Sequence, residues 1–139
     1  MPKINLMMPG NPRYQPKSLQ DHFGYDNLYN TVTEVEIANL DTMAEIGFMP
    51  SQVSAMLTEV LKKSWIDNLS TTGIDVTERK FTKHDIRAWI QEARKIAPEE
   101  LGNWLHLLLT SYDPLDTGRI LQFVRAHNEV VAPACRKVM

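Results

Sequence analysis

Cysteine is almost absent from this sequence. Of 139 residues only Cys135 is a cysteine, so no disulfide can close within the chain. That usage fits a reducing compartment, and the expected location is the cytoplasm. Cys135 falls late in a helical pattern with no base beside it and is read as a small buried apolar residue. Long apolar runs are missing too. Leu107-Leu108-Leu109 is typical of the longest, whereas a bilayer takes about 20 residues to cross, so no membrane partner is expected. Met1-Pro2-Lys3 leads into no long apolar segment, and no secretory leader is expected. A basic surplus is lacking: 15 Lys and Arg stand against 17 Asp and Glu, a formal charge of -2. A chain held on nucleic-acid phosphates usually carries such a surplus, so no nucleic-acid partner is expected. The four histidines are scattered without metal-ligand spacing. Neither a phosphate-binding glycine loop nor a G-x-S-x-G elbow occurs. No metal and no cofactor are expected.

What is present is an ordinary globular composition, 43% hydrophobic and 23% charged, in a length that suits one modest core. Residues 1–24 hold four of the eight prolines and two of the six glycines and read as an extended N-terminal arm. From Tyr25 the period changes. Leu28, Val32, Val35, Asn39, Met43 and Ile46 mark one face of a helix, which Gly47 and Pro50 should stop. Ser51 should cap a second helix with the stripe Val53, Met56, Leu57, Val60, Leu61 and Trp65. Residues 70–80, rich in Ser, Thr and Gly, read as a loop or a very short strand. Thr82 should cap a third helix with Ile86, Trp89, Ile90 and Ala93 on its apolar face. Pro98 either ends that helix or opens a short one through Leu105. From Pro114 onward, Ile120, Val124, His127, Val131, Ala134 and Val138 approach a heptad seam that calls for partner helices. Pro133 should bend it or loosen one turn. The expected fold is all-α, with an arm (1–24), a helical domain (25–112) and the start of a long bundle helix (113–139). A helix still running at Met139 reads as a fragment, or as a chain ending against another subunit.

Three polar clusters suggest chemistry. Arg13 beside Tyr14 can offer a guanidinium fork and a hydroxyl to an anion such as a phosphate, although an exposed Arg with a packed Tyr reads the same way. Lys83-His84-Asp85 opens a helix, where free amides and the dipole favour an anion and His84 can move a proton near neutral pH. A well-capped helix with a solvated face is the plainer alternative. Thr110 and Ser111 put two hydroxyls ahead of a helix, which suits a carboxylate; the alternative is an N-cap by Ser111 or Asp113 with Pro114 at the first helical position. His22, His106 and His127 read as packing or structural residues.

In this order the clusters resemble the N-terminal part of the adenylosuccinate lyase family, in the fumarase/aspartase superfamily. The residues that carry the resemblance are Arg13-Tyr14, Thr33-Glu34-Val35-Glu36-Ile37, and Ala44 through Pro50. With them go Thr82-Lys83-His84-Asp85-Ile86-Arg87-Ala88, Trp104-Leu105-His106, and Leu109-Thr110-Ser111-Tyr112-Asp113-Pro114-Leu115-Asp116-Thr117. The resemblance implies an all-α fold of the fumarase/aspartase type and elimination of fumarate from adenylosuccinate, giving AMP, and from SAICAR, giving AICAR, in purine biosynthesis. It implies that Arg13 and Tyr14 bind the nucleotide phosphate and that Lys83, His84 and Asp85 bind substrate, His84 nearest the reaction. Thr110 and Ser111 would hold a succinyl carboxylate. The family often has Arg at Lys83, and Pro114 and Gly118 depart from its commoner apolar and Ala residues. The family's acid, a His, and its base, a Ser on a mobile loop, lie further along its chains, and its sites are shared by three subunits of a homotetramer. The resemblance therefore implies no acid or base in these 139 residues, an assisting role at most for His84, and no activity for the chain alone. Two other readings are a related lyase without a phosphate to bind, such as a carboxymuconate cycloisomerase, and a non-catalytic helical interaction protein.

Overall fold

The computed structural model describes residues 16–138, and every regular element in it is helical, as the all-α expectation has it. Arg13 and Tyr14 lie outside the described residues. A 3-10 turn, Lys17–Leu19, precedes α1 (Tyr25–Glu45). Then come α2 (Ser51–Ser54), α3 (Glu59–Asn68), α4 (Thr71–Thr77), a π turn (Glu78–Thr82), α5 (Asp85–Arg94) and α6 (Glu99–Gly102). A long α7 (Tyr112–Ala126), a second π turn (His127–Val131) and α8 (Ala132–Arg136) follow. Among the described residues no helix is long and apolar enough to cross a membrane.

The first helix ends as its sequence suggests. Gly47 takes the left-handed conformation (φ 72°), and the amides of Gly47 and Phe48 return to the carbonyls of Ala44 and Met43. These two bonds satisfy carbonyls that the helix leaves open, and the conformation suits glycine. The buried face differs from the expected stripe. It runs through Tyr29, Val32, Thr33, Glu36, Leu40 and Met43, while Val35 and Asn39 are half-buried and Ile46 is exposed. Apolar spacing misplaced the face because two polar residues, Thr33 and Glu36, are buried with partners of their own.

Two tryptophans fill the centre. Trp65 and Trp89 are fully buried, and each indole N–H finds an acceptor, the Ala93 carbonyl and the Thr33 hydroxyl, both at 3.0 Å. The Thr33 hydroxyl in turn donates a hydrogen bond to the Tyr29 carbonyl at 2.7 Å. A buried N–H left unpaired would cost about 1–3 kcal/mol, so these bonds fix which way each ring lies.

Several local expectations need correction. The stripe from Ser51 to Trp65 is two helices, because Thr58 accepts from the Leu61 amide and starts α3 afresh; Ser51 is the first residue of α2 rather than its cap, and Val60 is exposed. Residues 71–77 are helical, not loop or strand. Ser70 accepts from the Gly73 amide, Ile74 is fully buried, and the Thr77 hydroxyl donates to Glu92, so capping and packing override the weak helix propensity of the run. Burial pushes the Glu92 carboxyl up, but the Lys95 ammonium and that donation together hold it below its usual range. A short helix does follow Pro98, but it ends at Gly102.

α7 lies antiparallel on α1. His106 meets Glu36, Gly118 meets Thr31, and Glu129 meets His22, in opposite chain order. Phe23 packs edge-on against Phe123 with centroids 4.9 Å apart. The face of α7 that packs is Pro114, Leu115, Gly118, Gln122 and Ala126. The heptad-like stripe is the other one: Ile120 is 61% exposed and Val138 89%, with Val124 and Val131 also exposed. His127 and Cys135, expected to pack, are exposed as well. Ahead of Pro133 the helix widens into the π turn. Proline lacks an N–H and its ring crowds the carbonyl four residues back, so the loosened turn falls where the sequence asks for it.

The α1–α7 approach depends on Gly118. A Cβ there would lie 2.9 Å from the Thr31 hydroxyl and 3.3 Å from the Val32 nitrogen. Gly118→Ala should therefore destabilise the chain by about 1–3 kcal/mol, read as a lower urea midpoint, and adding Thr31→Ala should recover part of the loss. An unchanged midpoint in the single variant would contradict this packing.

Candidate functional site

The Lys83-His84-Asp85 cluster is placed by the π turn. Lys83 adopts a left-handed backbone (φ 53°), and its ammonium donates to the Arg79 carbonyl, closing the turn. His84 follows in extended conformation at the N-cap position of α5. The Thr82 hydroxyl donates to the His84 carbonyl at 2.7 Å and takes its amide at 3.3 Å, so Thr82 braces His84 and does not cap the helix as expected. Asp85 Oδ1 instead accepts from the next amide, Ile86, at 2.7 Å. His84 Nδ1 lies 3.2 Å from that same oxygen, but the alignment makes no hydrogen bond and Nδ1 is buried without a partner.

The second half of the site precedes α7. Helix geometry begins at Tyr112, so Pro114 is the third helical residue and not the first. Asp113 Oδ2 accepts from the Thr110 amide at 2.6 Å and the Thr110 hydroxyl at 3.1 Å. Those two bonds, the amide first, hold the Asp113 carboxyl below its usual range. Thr110 thus already grips a carboxylate, that of its own chain. Ser111 makes no cap bond; its hydroxyl lies 3.3 Å from His84 Nε2, the proton's place depending on the imidazole tautomer. Two clusters separated by 27 residues in sequence meet at this point. A hydroxyl and an imidazole nitrogen side by side can hold a carboxylate oxygen and hold or pass a proton.

What brings them together lies behind the site. The loop from α6 to α7 contains two left-handed residues, His106 (φ 63°) and Leu108 (φ 66°), a conformation that costs a bulky residue about 1–2 kcal/mol. α1 holds it. Glu36 accepts from the His106 amide at 3.1 Å through Oε2 and pairs with His106 Nδ1 at 2.7 Å through Oε1. Asn39 donates to the Leu107 carbonyl at 3.0 Å. Glu36 is completely excluded from solvent, and burial raises its carboxyl pKa despite the opposing His106 bonds. Sequence reasoning missed this support, quoting Glu36 only as part of a motif and placing Asn39 in an apolar stripe. The available signal was an acid in mid-helix, four residues from Val32 and four from Leu40.

No family model matches the chain, and no solved structure matches it. Curated relatives do. It is 29% identical over 127 residues to an adenylosuccinate lyase of Aquifex aeolicus, covering 91% of this chain and 28% of that protein. It is 33% identical over 94 residues to one of Synechocystis, covering 68% of this chain and 20% of that protein. A third, of Methanocaldococcus jannaschii, is 26% identical over 109 residues, covering 78% and 23%. The chain therefore resembles adenylosuccinate lyases over most of its own length, while spanning about a quarter of the length of these relatives.

The Glu36 environment has a consequence for stability. Its native pKa is above the unfolded value, 4.5, so the native state holds the proton more tightly. Stability from this group is full below that value and is lost as pH rises through the native pKa. The urea midpoint of the wild-type chain should fall relative to Glu36→Gln over that rise, with a constant difference at more acidic pH. A relative gain by the wild type with rising pH would contradict the assignment.

Proposed function

We propose that this chain is the substrate-holding portion of an adenylosuccinate lyase, an enzyme that eliminates fumarate from adenylosuccinate to give AMP and from SAICAR to give AICAR in purine biosynthesis. The observation that carries the reading is the meeting of His84 Nε2 and the Ser111 hydroxyl at 3.3 Å, in a chain similar to lyases of that name.

In the elimination a base removes a proton beside a carboxylate, charge spreads into that carboxylate, and the carbon–nitrogen bond breaks as an acid protonates the nitrogen. Hydrogen-bond donors placed where charge develops lower the barrier. Ser111, turned toward His84, is the donor nearest such a position. Thr110 joins it when a substrate carboxylate replaces Asp113 on its amide and hydroxyl. His84 sits closest to the reacting atoms, with Asp85 and the Lys83 charge completing the substrate contacts. Arg13 and Tyr14, which precede the described residues, take the nucleotide phosphate. The acid and base come from beyond these 139 residues, so the isolated chain is expected to be inactive. The working enzyme is a cytoplasmic homotetramer, and the exposed Ile120, Val124, Val131 and Val138 stripe supports such association. The same stripe would serve a purely interacting protein, which would self-associate without nucleotide affinity.

Ligand binding separates these readings. AMP at a hundred times its dissociation constant should stabilise the protein by about 2.7 kcal/mol, seen as a rise in melting temperature. Arg13→Ala should abolish most of that rise. No rise at millimolar AMP or adenylosuccinate would count against the assignment, and a rise indifferent to Arg13→Ala would place the phosphate elsewhere.

A further inference from the structure

Glu36 and Asn39 stand three residues apart on α1, so they lie on one helix face within a turn of each other. They reach adjacent residues of the α6–α7 loop, Glu36 the His106 amide and ring and Asn39 the Leu107 carbonyl. Those residues lie beside or at the left-handed positions, where an unrestrained chain of His and Leu would relax toward ordinary backbone angles. Four residues beyond Leu107 is Ser111, whose contact with His84 is already near the outer limit of a hydrogen bond. A loop shift of about 1 Å would break it, and misplacements of that size are costly in active sites.

We propose that Glu36 and Asn39 are positioning residues for the Ser111–His84 pair: from one face of α1 they clamp His106 and Leu107, and the clamped left-handed loop delivers the Ser111 hydroxyl to the imidazole. The proposal rests on the reading of that pair as the substrate site, but it concerns a geometry that exists without substrate. It assigns Glu36 a role other than core stability, and it explains why a solvent-excluded acid is used where an apolar residue would pack more cheaply.

The test uses nuclear magnetic resonance on the 139-residue chain without ligand. Glu36→Met and Asn39→Asp stay close to native size, the first removing both oxygens that hold His106 and the second the amide donor. The readouts are the proton contact between Ser111 Hβ and the His84 ring, the His84 Nε2 nitrogen shift, and the Trp65 and Trp89 indole N–H signals. Both variants should lose the Ser111–His84 contact and move the Nε2 shift while the indole signals stay in place. Retention of the contact in either folded variant overturns the proposal. So does a wild-type chain that lacks it, since there is then nothing to position. If Glu36→Met does not fold, half-buried Asn39→Asp decides, and its unfolding would make the clamp one of stability alone. Because no nucleotide is present, a failure here is distinct from a failure to bind AMP.

Discussion

The Glu36 carboxyl accepts from the His106 backbone amide and pairs with the His106 ring in a place water does not reach. An unpaired carboxylate there would be untenable, so burial and pairing must form together. The pairing spans 70 residues of sequence and ties the middle of α1 to the loop that leads into α7. Once it is made, the loop takes its left-handed turns, Asn39 seats the Leu107 carbonyl, and the Thr110-Ser111 step arrives beside His84. The site is thus the end of a chain of constraints that starts in the core.

A second constraint brings α7 down on α1. Gly118 lets the two backbones approach at Thr31, and the Arg125 guanidinium closes on both Glu34 oxygens further along, at 2.8 and 2.5 Å. The helix that results buries one face and leaves a stripe of Ile, Val and Phe to solvent. An apolar stripe of this kind on a small protein is a surface suited to other helices. Core packing and the exposed apolar stripe come from opposite sides of the same helix.

Much of the architecture was legible in sequence, and the exceptions have physical causes. The all-helical class, the Gly47 stop and the α5 face of Ile86, Trp89 and Ala93 follow from period and turn chemistry. The α1 face was misread because Thr33 and Glu36 are polar yet buried, which spacing of apolar residues cannot register. The 71–77 helix was missed because its β-branched residues favour it only once Ser70 caps it and Glu92 takes the Thr77 hydroxyl. The seam in α7 was seen, but as a face for packing, when within this chain it is the opposite face that packs. For the site, the clusters at His84 and Ser111 were legible one by one. Their meeting was not, because it depends on a loop conformation set by Glu36 and Asn39.

The role proposed for the Ser111–His84 junction is to receive a carboxylate of a fumarate-like ligand. Its most direct test is a titration of this chain with fumarate, followed residue by residue through backbone amide and imidazole nitrogen resonances. Saturable shifts are expected at His84, Thr110, Ser111 and Asp113, with Asp113 moving as its carboxylate leaves Thr110. Shifts confined to other surfaces, or none at saturating fumarate, would contradict it.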